Sequence, residues 1–310
     1  MNIVILDAHA ANPGDIPTTE LEALGNVTSY DFTNPDEVLA RAIGADAILT
    51  NKVVIDDALM EALPRLRYIG VQATGYNVID IEAAHRRGIT VTNVPAYSTM
   101  SVAQQVFAHL LNVCNSVDHY AQAVRDGEWE RCGCFTFSDT SLVELAGKQL
   151  GIIGYGNIGR QVETIAKAFG MNVTHASARR DADAEALTRL LATSDVVTLH
   201  CPATAGTMGM VNEDFLSKMK RGAILINTAR GQLVNEHDVA QALHSGQLAA
   251  YCSDTMTIEP ASPDNELVRA PRAFFTPHNA WATREARTRL LHVVAENLRA
   301  FIEGKPQNAV

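Results

Sequence analysis

At 310 residues, of which 47% are hydrophobic, 19% charged and 6% aromatic, the chain lies in the ordinary globular range, which excludes disordered and fibrous classes. That length exceeds what one hydrophobic core usually supports, so two domains of roughly 150 residues each are predicted. A net charge of −10 argues against nucleic acid or an anionic membrane as the main partner, because both select clustered Lys and Arg, while a few local arginines still allow an anionic small molecule.

The apolar run at 3–6 has no basic residue before it and is too short for a signal-peptide core, so it reads as a first strand. Further strands are predicted at 27–31, 47–50, 68–71 and 89–92, with helical spacing between them at 18–24, 35–43, 56–63 and 80–87. Residues 98–125 carry Val102, Val106, Leu110, Val113, Val117 and Val124 near helical spacing and read as one long connecting helix. A loop at 129–139 follows, and then a second alternation, with strands at 147–153, 172–176, 195–200, 223–227, 249–254 and 274–276. Its helices are predicted to start near Asn157, Ala182, Asn212 and Asn235, and a last helix covers 285–303. Repeated strand and helix alternation predicts α/β architecture: two doubly wound, Rossmann-like parallel sheets with a cleft between the domains. No apolar run reaches the ~18 residues that span a bilayer, so a cytoplasmic protein is expected. Five cysteines without a C-x-x-C pair suggest neither a disulfide framework nor a metal site; Cys132 and Cys134 read as free loop thiols.

The sharpest local signal is Gly154-Tyr155-Gly156-Asn157-Ile158-Gly159. Three glycines in six residues are common, but here they follow an apolar strand and open a helix, the context of a dinucleotide-binding turn. The first glycine permits the turn, the second lets backbone amides approach a pyrophosphate, and the third allows close helix packing. NAD-selective sites usually place Asp or Glu about 20 residues beyond the glycines to bind the ribose diol. Ser177 holds that place, followed by Arg179 and Arg180, which could neutralise a 2′-phosphate. NADPH, or dual use of NAD(P)H, is therefore favoured.

Together with the strings Ile226-Asn227-Thr228-Ala229-Arg230-Gly231, Asp254-Thr255-Met256-Thr257-Ile258-Glu259-Pro260 and Thr276-Pro277-His278-Asn279-Ala280, in this order, the turn resembles the D-isomer-specific 2-hydroxyacid dehydrogenases over essentially the whole chain. Within that family, residues 93–98 and 280–287 look most like the bacterial glycerate dehydrogenases, also called hydroxypyruvate reductases. The resemblance implies reduction of a 2-keto acid to the D-2-hydroxy acid, and the reverse. Arg230 would grip the carboxylate as a planar cation, His278 would donate the proton, and Glu259 would stabilise the imidazolium. It further implies that Asp254, Thr228, Ala229, Cys201 and Pro202 contact the cofactor. The loop of Gln72, Ala73, Thr74 and Gly75 would hold the substrate carboxylate with backbone amides, Asn51 and Lys52 would line the opposite side, and Trp281 would narrow the pocket toward hydroxypyruvate or glyoxylate.

In the family the final helix returns to the first domain, which gives a flavodoxin-like substrate domain of 1–99 plus 285–310 and a nucleotide domain of 100–284, paired into a homodimer through the long helix and the loop holding Trp129, Phe135 and Phe137. Two other readings stay open: a nucleotide-sensing corepressor of the same fold, and a formate- or phosphite-type relative. His109 and the eight other histidines besides His278 read as structural or exposed.

Overall fold

Short apolar runs become the strands of two parallel sheets in the computed structural model, which describes residues 1–178 and 184–310. A strand covered on both faces needs no polar alternation, and the runs at Ala47–Thr50, Tyr68–Val71 and Val196–Leu199 are buried at every position. The chain divides into two units, Met1–Ser98 with Trp281–Val310, and Thr99–Ala280. Trp281 to Arg284, expected with the nucleotide domain, fall in the first unit.

In chain order the first unit contains β1 (Asn2–Ile5), α1 (Ala8–Ala11), α2 (Thr19–Glu22), β2 (Asn26–Ser29), α3 (Val38–Ala42), β3 (Ala47–Thr50), α4 (Asp57–Glu61), β4 (Tyr68–Val71), α5 (Ile81–Arg86) and β5 (Thr90–Thr92). The sheet order is β2-β1-β3-β4-β5, so the order reverses between β1 and β3. Alternate residues of one strand feed opposite cores. Ile69 and Val71 pack with Ala83 and Ala84 on one face, while Tyr68 packs with Leu290, Val294 and Leu298 of the last helix on the other. Aspartates start two helices: Asp56 accepts from Leu59 N and Asp80 from Ala83 N.

The second unit runs α6 (Thr99–Asn115), α7 (Val117–Arg125), α8 (Glu128–Arg131), β6 (Gln149–Ile153), α9 (Asn157–Ala168), β7 (Asn172–Ala176), α10 (Ala184–Thr193), β8 (Val196–Leu199), α11 (Glu213–Lys218), β9 (Ala223–Asn227), α12 (Glu236–His244), β10 (Leu248–Ser253), α13 (Glu266–Arg269) and β11 (Ala273–Phe275). The chain then closes on the first unit with α14 (Arg284–Ile302). The second sheet is ordered β11-β10-β9-β8-β6-β7 and reverses between β6 and β8. Along β9, Ala223 and Leu225 enter one core and Ile224 and Ile226 the other.

The two doubly wound parallel sheets match the architecture expected from the sequence. Two local expectations are corrected. The single helix predicted over 98–125 is two, because Ser116 adopts a left-handed backbone (φ +49°) between α6 and α7. The loop predicted at 129–139 begins inside a helical turn, α8.

Candidate active site

The turn after β6 is built by exclusion of side chains. Gly154 has φ +93°, and a Cβ there would lie 2.6 Å from the His200 carbonyl carbon, beyond the end of β8. A Cβ at Gly159 would fall 2.5 Å from Gly154 O, so α9 sits directly on the turn. At Gly156 a Cβ would meet nothing within 4 Å. The first bond of α9 joins Arg160 N to Gly156 O, so the amides of Asn157, Ile158 and Gly159 precede it. Open space in front of helix-start amides, where the strand order reverses, suits a pyrophosphate.

Other residues at the ends of these strands fit the same ligand. Thr228, directly after β9, has a buried hydroxyl with no hydrogen-bond partner among the described residues. Ala229 N is taken by Asn227 Oδ1 at 3.0 Å. Cys201 is buried, its thiol pushed up to about 11 by desolvation, and Pro202 beside it is exposed. Ser177 is exposed just past β7, and Arg179 and Arg180 lie outside the described residues. Tyr155 turns its side chain to its neighbours: the ring stacks on His175 at 4.0 Å and the hydroxyl donates to Glu163.

At the adjacent ends of β9, β10 and β11 the three predicted catalytic loops converge in the sheet. Asp254 N bonds Asn227 O and Thr276 N bonds Ser253 O, each at 3.0 Å. His278 Nδ1 meets Glu259 Oε2 at 2.7 Å, and Glu259 Oε1 accepts from Met256 N at 2.9 Å. The carboxylate is thereby fixed against the ring. Arg230 is exposed, with Nη1 donating to Ala229 O at 2.7 Å, and its loop is tied by Asn227 Nδ2 to Arg230 O at 2.8 Å. A Cβ on Gly231 would lie 2.0 Å from the Met256 carbonyl carbon, so the Arg230 loop packs directly on the Glu259 loop.

Asp254 is 1% exposed, and burial raises its pKa against the pull of three donors: Thr276 Oγ1 at 2.5 Å, Asn279 N at 3.0 Å and Ala280 N at 2.8 Å. Within the protein its carboxylate thus holds the backbone just after His278. Asn227 and Ser253 were given no role from sequence; Ser253 Oγ donates to Asn227 O at 2.9 Å, and both are fully buried. A polar residue closing an apolar strand was the only available sign.

In the first unit, Asn51 and Lys52 follow β3. Their amides donate to Asp7 at 2.8 and 2.6 Å, and Asn51 Nδ2 donates to Gln72 O at 2.6 Å. The loop after β4 is braced by Val94 N to Ala73 O, by Thr74 Oγ1 to Val94 O and by Asn93 Nδ2 to Thr74 O. Gly75 is half-buried, and Gln72 carries a buried Oε1 with no hydrogen-bond partner among the described residues. Trp281 meets Tyr97 edge-on, with centroids 6.3 Å apart. Asp7, which organises the Asn51 and Lys52 amides, was missed because a lone Asp after a strand is a common turn residue.

A model of the NAD binding domain of D-isomer specific 2-hydroxyacid dehydrogenases matches residues 107–280. The chain is 42% identical over 320 aligned positions to a hydroxypyruvate reductase of Blautia hydrogenotrophica, covering 100% of this chain and 99% of that one. It is 37% identical over 311 positions to a glycerate dehydrogenase of Methylorubrum extorquens, covering 99% and 98%. Among solved structures it is similar to the TT0316 protein of Thermus thermophilus, with TM-score 0.88, 34% identity and 100% of both chains covered. Among the described residues no helix is long and apolar enough to cross a membrane.

Proposed function

Because the chain belongs to the D-isomer specific 2-hydroxyacid dehydrogenase family, we propose that it reduces a small 2-keto acid of the hydroxypyruvate or glyoxylate kind to the D-2-hydroxy acid, and runs the reverse oxidation. The observation that carries this reading is the 2.7 Å pair of His278 and Glu259, fixed at strand ends next to the Arg230 loop. With Nδ1 turned to Glu259, His278 keeps Nε2 for the substrate. In reduction that nitrogen gives its proton to the carbonyl oxygen, and in oxidation it takes the proton back. Glu259, itself held by Met256 N, fixes the ring's direction. Arg230 binds the substrate carboxylate, and amides of the loop of Gln72, Ala73, Thr74 and Gly75 assist, with Asn51 and Lys52 nearby in the same unit.

A nicotinamide dinucleotide, when bound, supplies or accepts the hydride. Residues 154–159, Ser177, Cys201, Pro202, Thr228 and Ala229 would hold it, with Asp254 behind. Ser177 puts no carboxylate where a 2′-phosphate would lie, which supports NADPH as well as NADH. Trp281 supports a short, polar substrate over a branched one. The working form is a homodimer.

The test is catalytic efficiency on hydroxypyruvate, glyoxylate, pyruvate and 2-ketoisocaproate, each with NADH and NADPH. The two small polar acids should be preferred, with NADPH used at least as well as NADH. A clear preference for 2-ketoisocaproate refutes the substrate class. His278→Asn should lower kcat about 10²- to 10⁴-fold with dinucleotide binding retained. Dinucleotide binding by the wild type without turnover on any acid would instead indicate a nucleotide-sensing protein.

A further inference from the structure

His278 is held in a backbone conformation it does not prefer. Its φ of +53° lies in the left-handed region, which costs a residue with a Cβ about 1 kcal/mol or more and persists only where neighbours impose it. His278 N bonds Thr276 O at 2.9 Å, and Asp254 takes the next two amides, of Asn279 and Ala280. The same segment is met by a polar stripe along α6 to which the sequence alone assigned no use. Ser101, Gln105 and His109 recur at every fourth position, so they share one face of the helix. Ser101 Oγ donates to Ala280 O at 2.5 Å, in a buried setting. Thr276 Oγ1 lies 3.3 Å from His109 Nε2 and 3.5 Å from Gln105 Nε2.

We propose that the Ser101, Gln105 and His109 face of α6 is a positioning ridge for the catalytic histidine, acting on residues 276–280 through Thr276 and Asp254. A threonine hydroxyl has one proton, and Thr276 gives it to Asp254 at 2.5 Å. Its oxygen must then accept, and α6 presents the donors. Burial keeps His109 neutral by pushing its pKa down to about 4, so it brings no second charge beside Asp254, and its Nε2, 3.3 Å from Thr276 Oγ1 and 3.4 Å from Gln105 Nε2, joins both side chains in one polar cluster. With the hydroxyl so directed, the Asp254 oxygens are shared among Thr276, Asn279 and Ala280, and the left-handed turn at His278 is locked from its C-terminal side while Glu259 fixes the ring.

The inference rests on His278 being the proton donor, and the experiment separates the two. His278→Asn with retained turnover removes the donor assignment itself. With that assignment intact, Thr276→Val should lower kcat about tenfold, while the KM for keto acid and the Kd for dinucleotide change less than about twofold. Thr276→Ser, which restores the hydroxyl, should recover most of the rate. His109→Leu should show the same loss of kcat with an unchanged or higher Tm, because an apolar side chain suits that buried site; His109→Gln, which keeps a donor, should lose less. Thr276→Val and His109→Leu both within twofold of wild-type kcat would overturn the ridge. So would failure of Thr276→Ser to rescue, which would show that packing of the methyl group is what matters.

Discussion

His109 joins a titratable ring to a site that disfavours its charge, and the cost is visible in stability as well as in rate. The side chain is 5% exposed, and desolvation lowers its pKa from 6.5 to about 4. The sign follows directly. Between those values the unfolded chain binds a proton that the folded chain refuses, so the group's contribution is intact above about pH 6.5 and is lost as pH falls toward 4. At full extent a shift of this size corresponds to about 3 kcal/mol of stability. Urea denaturation of wild type and His109→Leu at neutral and acid pH isolates it: the wild type should lose about 2 to 3 kcal/mol more than the variant on going to pH 4.5. Equal losses would mean that His109 protonates freely in the folded protein.

At the scale of loops and helices, the site depends on two backbones touching where side chains would forbid it. Gly231 presses on the Met256 carbonyl carbon, which joins the Arg230 loop to the loop that ends in Glu259. Gly231→Ala must push these loops apart; it should cost roughly 1 to 3 kcal/mol of stability and lower kcat/KM more than Tm alone explains. A near-normal kcat/KM would show that the loops tolerate the separation. How much of this was legible follows from where the signal resided. Strands buried on both faces announce themselves as unbroken apolar runs, so Ala223–Asn227 was placed with correct ends, as was the more exposed Asn172–Ala176. Asn212 and Asn235 marked helix starts because their side chains accept backbone amides there, as an N-cap must. The break at Ser116 was hidden, because apolar spacing runs through it from Val113 to Val117 and a left-handed serine has no sequence mark. The pairing of His278 with Glu259 was implied by the family resemblance that their strings carry. The polar stripe of α6 could not: its helical period is equally that of a solvated face, and its partner segment is about 170 residues away in sequence. Such long-range polar pairs are known only once the fold has been assembled.

At the scale of the whole molecule, each sheet packs apolar side chains of its own unit on both faces, while among the described residues of the second unit the segment around Trp129 and Phe135 leaves aromatic surface exposed. Phe135 is 91% exposed and Trp129 46%, with Trp129 Nε1 holding Phe135 O at 3.0 Å, beside a hollow of about 600 Å³ lined in part by Val124, Trp129 and Cys134. Exposed aromatics next to an unfilled hollow are a costly surface for a monomer and a good one for a symmetric partner, because in a two-fold dimer each copy contributes both the knob and the hole. The symmetry also doubles the effect of a substitution. Removing the Phe135 ring forfeits about 1.5 to 3 kcal/mol per copy, hence about 3 to 6 kcal/mol per dimer, a weakening of roughly 10²- to 10⁴-fold in the dissociation constant. Light scattering on the eluting peak should therefore give twice the chain mass for wild type and a shift toward monomer for Phe135→Ser at micromolar concentration. Each copy carries a net charge of −10, so like-charge repulsion opposes pairing, and added salt, which screens it, should tighten the wild-type dimer. A wild type that is monomeric at both low and high salt would reject pairing through this surface, and a Phe135→Ser dimer as tight as the wild type would place the contact elsewhere.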